Sequence, residues 1–149
     1  MKVSNRSWAT LIFATVAVSV AGCSSSGSSN SAPTSADNVV SQLKTAGISC
    51  PSASSSAGGT GSITTCGSTI YIAWLNDQTQ DIPKYLCSVA KANGVDPKTA
   101  GSTEAVVYGT AYYIAAQHNG DWGGTTPEAV SKAVSGSSVL TGADLAKAC

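Results

Sequence analysis

The sequence has few of the residues that build most active sites and nucleic-acid surfaces. Arg6 is its only arginine, His118 is its only histidine, and charged residues make up 11% of the 149. A nucleic-acid surface needs clustered lysine and arginine side chains, and no such cluster occurs. A histidine-based metal site needs a second histidine, and the cysteines include no Cys-x-x-Cys pair of the kind that binds zinc. We therefore expect no nucleic-acid partner, no metal and no cofactor.

Motifs of common catalytic sites are missing as well. The glycine-rich segment 58–62 lacks the Lys-Ser or Lys-Thr pair of a phosphate-binding loop, and no serine lies in a Gly-x-Ser-x-Gly elbow. Asp77 and Asp81 flank a Gln-Thr-Gln stretch, but the glycine and terminal glutamate of a calcium loop are absent. The sequence thus predicts a protein that is not an enzyme. A small hydrolase that uses His118 is the alternative that stays open.

The N-terminal segment has the three zones of an export signal. Lys2 and Arg6 form a basic start, residues 8–20 form an apolar run, and small residues follow. The run is shorter than the roughly 20 residues of a membrane-spanning helix. Val20, Ala21, Gly22 and Cys23 resemble the lipobox of bacterial lipoproteins. The resemblance implies cleavage before Cys23, acyl chains such as palmitate on Cys23, and a place on the extracytoplasmic side of the cell membrane.

Three segments follow from this interpretation. We expect a lipoprotein signal peptide over residues 1–22, a lipidated cysteine and Ser-rich tether over 23–35, and a single globular domain over 36–149. Removal of the signal peptide leaves six lysines against eight carboxylates, a net charge of about −2. No polybasic patch remains to bind anionic lipid, so the acyl chains would provide the membrane attachment.

Four cysteines remain after Cys23, and an even number in an exported chain indicates disulfides. Three pairings are possible, and we favour Cys50–Cys66 with Cys87–Cys149. The first would close a polar loop that is otherwise expected to be mobile, and the second would tie the last residue to a helix. In the chain-entropy treatment the two bridges contribute about 3 and about 4 kcal/mol.

The predicted elements alternate between helix and strand, which favours an α+β fold. We expect a small, mostly antiparallel sheet covered by three to four short helices and linked by the two disulfides. Gly109 lies within the longest β run and indicates a bulge, a bend or a break between two strands. The predicted helices cover 36–46, 82–93, a segment from Thr126 and a segment from Thr141. Residues 62–76 are predicted to be β, with 70–75 as the alternating strand and 63–66 as a partner strand that turns at Gly67, and 105–116 is the longest β run.

This order of elements loosely resembles small actinobacterial lipoproteins and secreted proteins of unknown function. The resemblance covers most of residues 36–140 and includes a helix that ends near the sequence AGI and a cysteine, and a strand that contains VVYG. It implies no activity.

Candidate binding residues are aromatic or lie in one polar turn. If Tyr71, Tyr108, Tyr112 and Trp122 shared an exposed sheet face, they would form a surface for a glycan or a protein; the alternative is that they belong to the core and its rim. His118 and Asp121, in the segment HNGDWGG, are candidates for a ligand-binding loop, with a polar turn as the alternative.

Two hypotheses of function follow from these features. The first is a non-enzymatic, membrane-anchored lipoprotein that binds a protein or a cell-envelope component. The second is a prophage-type superinfection-exclusion lipoprotein that blocks DNA entry.

Overall fold

A computed structural model of the protein describes residues 31–51, 53–96, 105–118 and 120–149. The predicted signal peptide, the lipidation site Cys23 and the tether up to residue 30 lie outside the described residues. Among the described residues no helix is long and apolar enough to cross a membrane. These residues form four helices and six strands: α1 (Ala36–Thr45), β1 (Ala53–Gly58), β2 (Gly61–Cys66), β3 (Ile70–Leu75), α2 (Ile82–Ala92), β4 (Ala105–Gly109), β5 (Tyr112–Ala116), α3 (Pro127–Ala133), β6 (Ser138–Thr141) and α4 (Gly142–Ala148).

The six strands form one antiparallel sheet in the order β1-β2-β3-β5-β4-β6. Short turns connect β1 to β2, β2 to β3 and β4 to β5, which is the connection that antiparallel strands allow. The predicted α+β class and antiparallel pairing are therefore confirmed. The turn between β4 and β5 decides among the three possibilities at Gly109, because the chain breaks there into two strands.

Helices cover both faces of the central strands, because successive side chains of a strand point to opposite faces. Ile70, Ile72 and Trp74 of β3 pack on the side of α1 and α3, which we call the α1/α3 face. Tyr71 and Ala73 pack on the side of α2 and α4, the α2/α4 face. This arrangement explains why β3 is apolar on both of its faces, as a strand covered on both sides requires.

Each helix begins at a side chain that accepts a hydrogen bond from the backbone three residues later. These N-cap residues are Ser35, Asp81, Thr126 and Thr141. Each one satisfies an N–H group that has no partner within its helix, an interaction that contributes about 1 kcal/mol.

Both favoured disulfides are confirmed. Cys50, which follows α1, is bonded to Cys66 at the end of β2, with 4.5 Å between their Cα atoms. Cys87 in α2 is bonded to Cys149, with 5.5 Å between their Cα atoms. One bridge thus fastens the connection from α1 to the sheet, and the other fastens α4 to α2.

Two strands were not predicted from the sequence. The segment 53–58, expected to be mobile within its disulfide loop, instead forms β1, paired with β2 over six consecutive residues. An edge strand is stabilised by backbone hydrogen bonds to its neighbour more than by apolar side chains. The sequence Ala-Ser-Ser-Ser-Ala-Gly can therefore form a strand beside β2. The second strand is β6, which pairs with β4 at the opposite edge. Its short sequence lies directly before α4 and carries little β signal.

The β4–β5 turn is held by a close contact. A Cβ atom at Gly109 would lie 2.5 Å from the ring of Tyr112, so only glycine fits. Ala111 in the same turn has φ 59°, a left-handed conformation that costs a non-glycine residue roughly 1–2 kcal/mol. Its backbone carbonyl accepts a 2.7 Å hydrogen bond from the N–H of Leu75, which ties the turn to the end of β3.

Candidate binding site

The predicted aromatic residues do not share one exposed face. Tyr71 and Tyr112 are each 1% exposed and lie on opposite faces of the sheet, and Trp122 is also buried. The hypothetical common surface is not formed, because helices cover both faces of β3 and β5. The alternative, core plus rim, describes the arrangement: Tyr108 alone of the four is partly exposed. A binding role for any one of them stays a prediction.

The buried tyrosines form a packed, aromatic centre. Tyr71 and Tyr113 meet edge to face with 6.0 Å between ring centroids, and Trp74 stacks in parallel on Tyr112 at 5.5 Å. Burial raises the pKa of the Tyr112 hydroxyl to about 12. Burial also raises the pKa of Tyr71 and of Tyr113 far above the ordinary value. These three hydroxyls are thus structural groups that stay protonated at neutral pH.

His118 and Asp121 lie in an exposed turn after β5. The N–H of Asp121 donates a 2.8 Å hydrogen bond to the carbonyl of His118. The carboxylate of Asp121 accepts from the N–H of Gly123 at 2.8 Å, which is a turn-forming interaction. The structure therefore brings these two residues together through the backbone of a polar turn. Across the described residues no group of three His, Cys, Asp or Glu side chains could hold a metal ion.

The opposite end of the sheet carries a groove that the sequence did not reveal. We call this end the hairpin end; it holds the β1–β2 turn, the loop 76–81 between β3 and α2, the β4–β5 turn, and the loop 134–137 before β6. The groove has a volume of about 470 Å³ and a partly exposed tyrosine at its wall, and we call it the Tyr108 groove. Its other principal lining residues are Gln78, Gln80, Pro83, Thr110 and Ser138.

Hydrogen bonds hold the loops of the hairpin end in place. The N–H of Asn76 donates to the carbonyl of Thr60 at 3.0 Å, and the side chain of Gln78 donates to the carbonyl of Leu75 at 2.9 Å. The contact from Leu75 to Ala111 adds the β4–β5 turn to the same network. The groove is therefore built on ordered loops joined to the sheet, so a ligand would not have to order them on binding.

The hairpin end has few charged side chains, and the two carboxylates bond to residues two or three positions further along the chain. Asp81 caps α2 and forms an exposed ion pair with Lys84 at 3.7 Å. Asp77 accepts two hydrogen bonds from Thr79, which hold the pKa of its carboxyl below its usual range. Besides amides, hydroxyls and one aromatic ring, the groove is lined by Asp81, whose carboxylate already accepts a hydrogen bond from the N–H of Lys84. Such a lining suits an uncharged ligand with many hydroxyl or amide groups.

A second, smaller cleft lies on the α2/α4 face beside the β1–β2 turn. It has a volume of about 300 Å³, and its walls include Ile63, Ala73, Tyr85 and Tyr113. Tyr85 and Tyr113 lie 6.4 Å apart between ring centroids. This cleft marks the place where the sheet extends beyond α2, and it offers fewer amide groups than the Tyr108 groove.

Comparisons with protein-family models, with the curated proteins and with the solved structures find no match to this chain.

Of the sequence-predicted residues, only Tyr108 lies in the groove. The amides of Gln78 and Gln80 are the sequence signal for its neighbours, between the carboxylates of Asp77 and Asp81. Ser138 belongs to β6, a strand that was not predicted. The pairing of Ser138 with Tyr108 could therefore not be predicted either.

Proposed function

We propose that the protein is an exported lipoprotein, anchored through Cys23, whose domain binds an uncharged saccharide of the cell envelope in the Tyr108 groove. The observation that carries this proposal is the partly exposed ring of Tyr108 in a groove of amide and hydroxyl side chains. The protein acts as a binding module and not as an enzyme. The prophage-type exclusion role stays a prediction, which infection of an expressing strain would test.

The chemistry of the groove supports a saccharide. A sugar ring has an apolar face that packs on an aromatic ring and a rim of hydroxyls that bond to amides. Tyr108 supplies the ring, while Gln80 and Ser138 supply donors and acceptors. The groove is shallow and open, with a volume of about 470 Å³, so a saccharide would lie on it with one side in solvent.

The anchor is supported by sequence alone. The lipobox-like residues end at Cys23, which lies outside both disulfides. Intact-mass measurement of the membrane-extracted protein tests it: the mature chain should begin at Cys23 with added acyl mass. The variant Cys23→Ala should lack that mass and leave the membrane fraction. An unmodified thiol at Cys23 in the mature protein would contradict the anchor.

Binding is tested by titration with neutral chito-, malto- and manno-oligosaccharides, followed by amide NMR shifts. Saturating shifts are expected in residues 78–82 and 108–110. Tyr108→Ala should weaken binding at least about tenfold, or 1.4 kcal/mol. Tyr85→Ala is the matched control, because Tyr85 is a partly exposed tyrosine that lines the other cleft. Equal affinity of Tyr108→Ala and the unsubstituted protein would refute this site.

A further inference from the structure

The described chain begins beside the Tyr108 groove. The carbonyl of Ser31 accepts a hydrogen bond from the side chain of Gln42 at 3.1 Å. Gln42 in turn accepts from the N–H of Ser135 at 2.9 Å. A Cβ atom at Gly136, which lines the groove, would lie 3.4 Å from the side chain of Ala32. Ser31 and Ala32, from which the chain leads back toward Cys23, therefore lie at the hairpin end.

The length of that segment limits how the domain can sit on a membrane. Seven residues of the predicted tether, 24–30, lie between Cys23 and Ser31, and a Ser-rich coil of that length spans about 15 Å on average. The six-residue strands are each about 20 Å long, so the far end of the sheet lies at least that much farther from the exit point. On average, such a tether places the hairpin end, from which it leads, nearer to the lipid than the far end, where His118 and Trp122 lie.

The charge of the hairpin end indicates what kind of headgroup it can meet. The loops 58–61, 76–81, 109–112 and 134–137 and the residues 31–35 contain no lysine, arginine or histidine. Phosphate headgroups are bound by such cations, and anionic lipid attracts them. Asp77 and Asp81 carry the charges of these segments, and the adjoining helix ends add, as cations, only Lys84, which is paired with Asp81, and Lys132. Such a surface has no cluster of cations, which favours a neutral headgroup.

We infer that the hairpin end faces the membrane and that the Tyr108 groove takes the saccharide of a membrane-attached glycolipid. This inference rests on the proposed anchor at Cys23 and on the proposed saccharide site. It identifies the ligand as one held within tether reach of the lipid surface. The far end of the sheet points away from the membrane.

The chain offers a matched pair of probes for this orientation. Trp74 lies at the hairpin end of β3, paired with Ser62 and Tyr112. Trp122 lies at the far end, next to Gly123, at which a Cβ atom would meet the side chain of Thr69. Each single-tryptophan form of the mature lipidated protein is placed in phosphatidylcholine vesicles with a dansyl-headgroup lipid. The forms are made by Trp122→Phe and Trp74→Phe, and energy transfer to the dansyl group is measured.

Trp74 is expected to transfer several-fold more of its excitation than Trp122, because transfer falls with the sixth power of distance. Equal transfer, or more transfer from Trp122, overturns the orientation. Hydroxyl-radical footprinting of the unsubstituted protein gives the same answer without substitutions: vesicles should protect residues 76–81 and 108–110 and leave 118–123 unchanged. A chain that fails to associate with vesicles at all contradicts the anchor, which is a different outcome.

The ligand is tested with chitotriose, free and as the headgroup of a synthetic lipid. On vesicles that carry the chitotriose lipid, the groove should become more protected in the unsubstituted protein and not in Tyr108→Ala. Free chitotriose at the same bulk concentration should protect it at least tenfold less. Equal protection by the two forms, or none by the lipid-linked form, overturns the membrane-attached ligand.

Discussion

Removal of the Cys87–Cys149 bridge should lower stability more than almost any other single change on the surface of this domain. The bond closes a loop with a sequence separation of 62 residues. In the chain-entropy treatment a loop of that length restricts the unfolded chain by about 4 kcal/mol, against about 3 kcal/mol for the separation of 16 in the other bridge. A small domain has only about 5–15 kcal/mol of stability.

The substitution Cys149→Ser isolates the cross-link. Cys149 is exposed, so its replacement leaves the core intact, and the sulfur of Cys87 stays in its buried position. We expect the free energy of unfolding in urea to fall by about 4 kcal/mol, with both circular dichroism and tryptophan fluorescence reporting one transition. Cys87→Ala with Cys149→Ser should cost more, because it also removes a buried side chain.

A loss below about 1 kcal/mol in Cys149→Ser would refute this reasoning. It would mean that the unfolded chain gains little freedom when the bridge opens. If the helix content of Cys149→Ser fell at lower urea concentration than the global transition, the bridge would stabilise only the contact of one helix. In that case it would hold the seven-residue α4 against α2, with Leu145 as the buried contact.

Three further changes have outcomes set by single contacts. Gly109→Ala should cost about 1–3 kcal/mol in urea unfolding, because its Cβ would overlap the Tyr112 ring; Gly59→Ala, where a Cβ meets nothing within 4 Å, is the control and should be nearly neutral. Alkaline pH should unfold the protein: the buried Tyr112 keeps its full contribution below pH 10 and loses it as pH rises through its folded pKa of about 12, so Tyr112→Phe should flatten the decline in thermal midpoint. Thr141→Ala removes a helix cap and should cost about 1 kcal/mol. The Thr141 hydroxyl and then Lys147 hold the pKa of Asp144 below its usual value, so the contribution of Asp144 is present above its unfolded pKa and is lost on acidification; this loss should be smaller in Thr141→Ala.

Most helices, the central strand and the disulfide pairs could be predicted from local sequence patterns. Helix caps at Asp81, Thr126 and Thr141 and the doubly apolar strand β3 each carry a strong local signal. The disulfide pairing was predicted from segments expected to be mobile, although one of them, 53–58, forms the strand β1. These features depend on residues close in sequence, or on the redox environment of the cysteines, and so the chain alone reveals them.

The two edge strands, β1 and β6, could not be predicted from the sequence, for a physical reason. The edge strand β1 is made of serine, alanine and glycine, and it exists because β2 offers it a full row of backbone partners. The four residues of β6 are too few for a period-two pattern. Pairing between distant segments decides both strands, and no local pattern encodes it.

The candidate site was only partly predictable for the same reason. Tyr108 was identified as an aromatic residue, but its groove is assembled from loops that meet only in the folded sheet. Its neighbours Gln80 and Ser138 lie 28 and 30 residues away from it in sequence. The aromatic residues do not form a common surface because helices cover both faces of β3 and β5, an arrangement that the apolar residues on both faces of β3 already favoured.

The outer position of β1 has a consequence for variation at the protein surface. Of the β1 side chains that the structure describes, none is buried, and the strand is joined to the rest of the sheet only through β2. The Cys50–Cys66 bond fixes the point at which the segment enters the sheet. Apart from Ser55, whose hydroxyl bonds to that of the buried Thr64 at 2.9 Å, an outer strand of this kind can change its sequence while the core is kept. Such changes would alter the surface that an antibody or a protease would recognise.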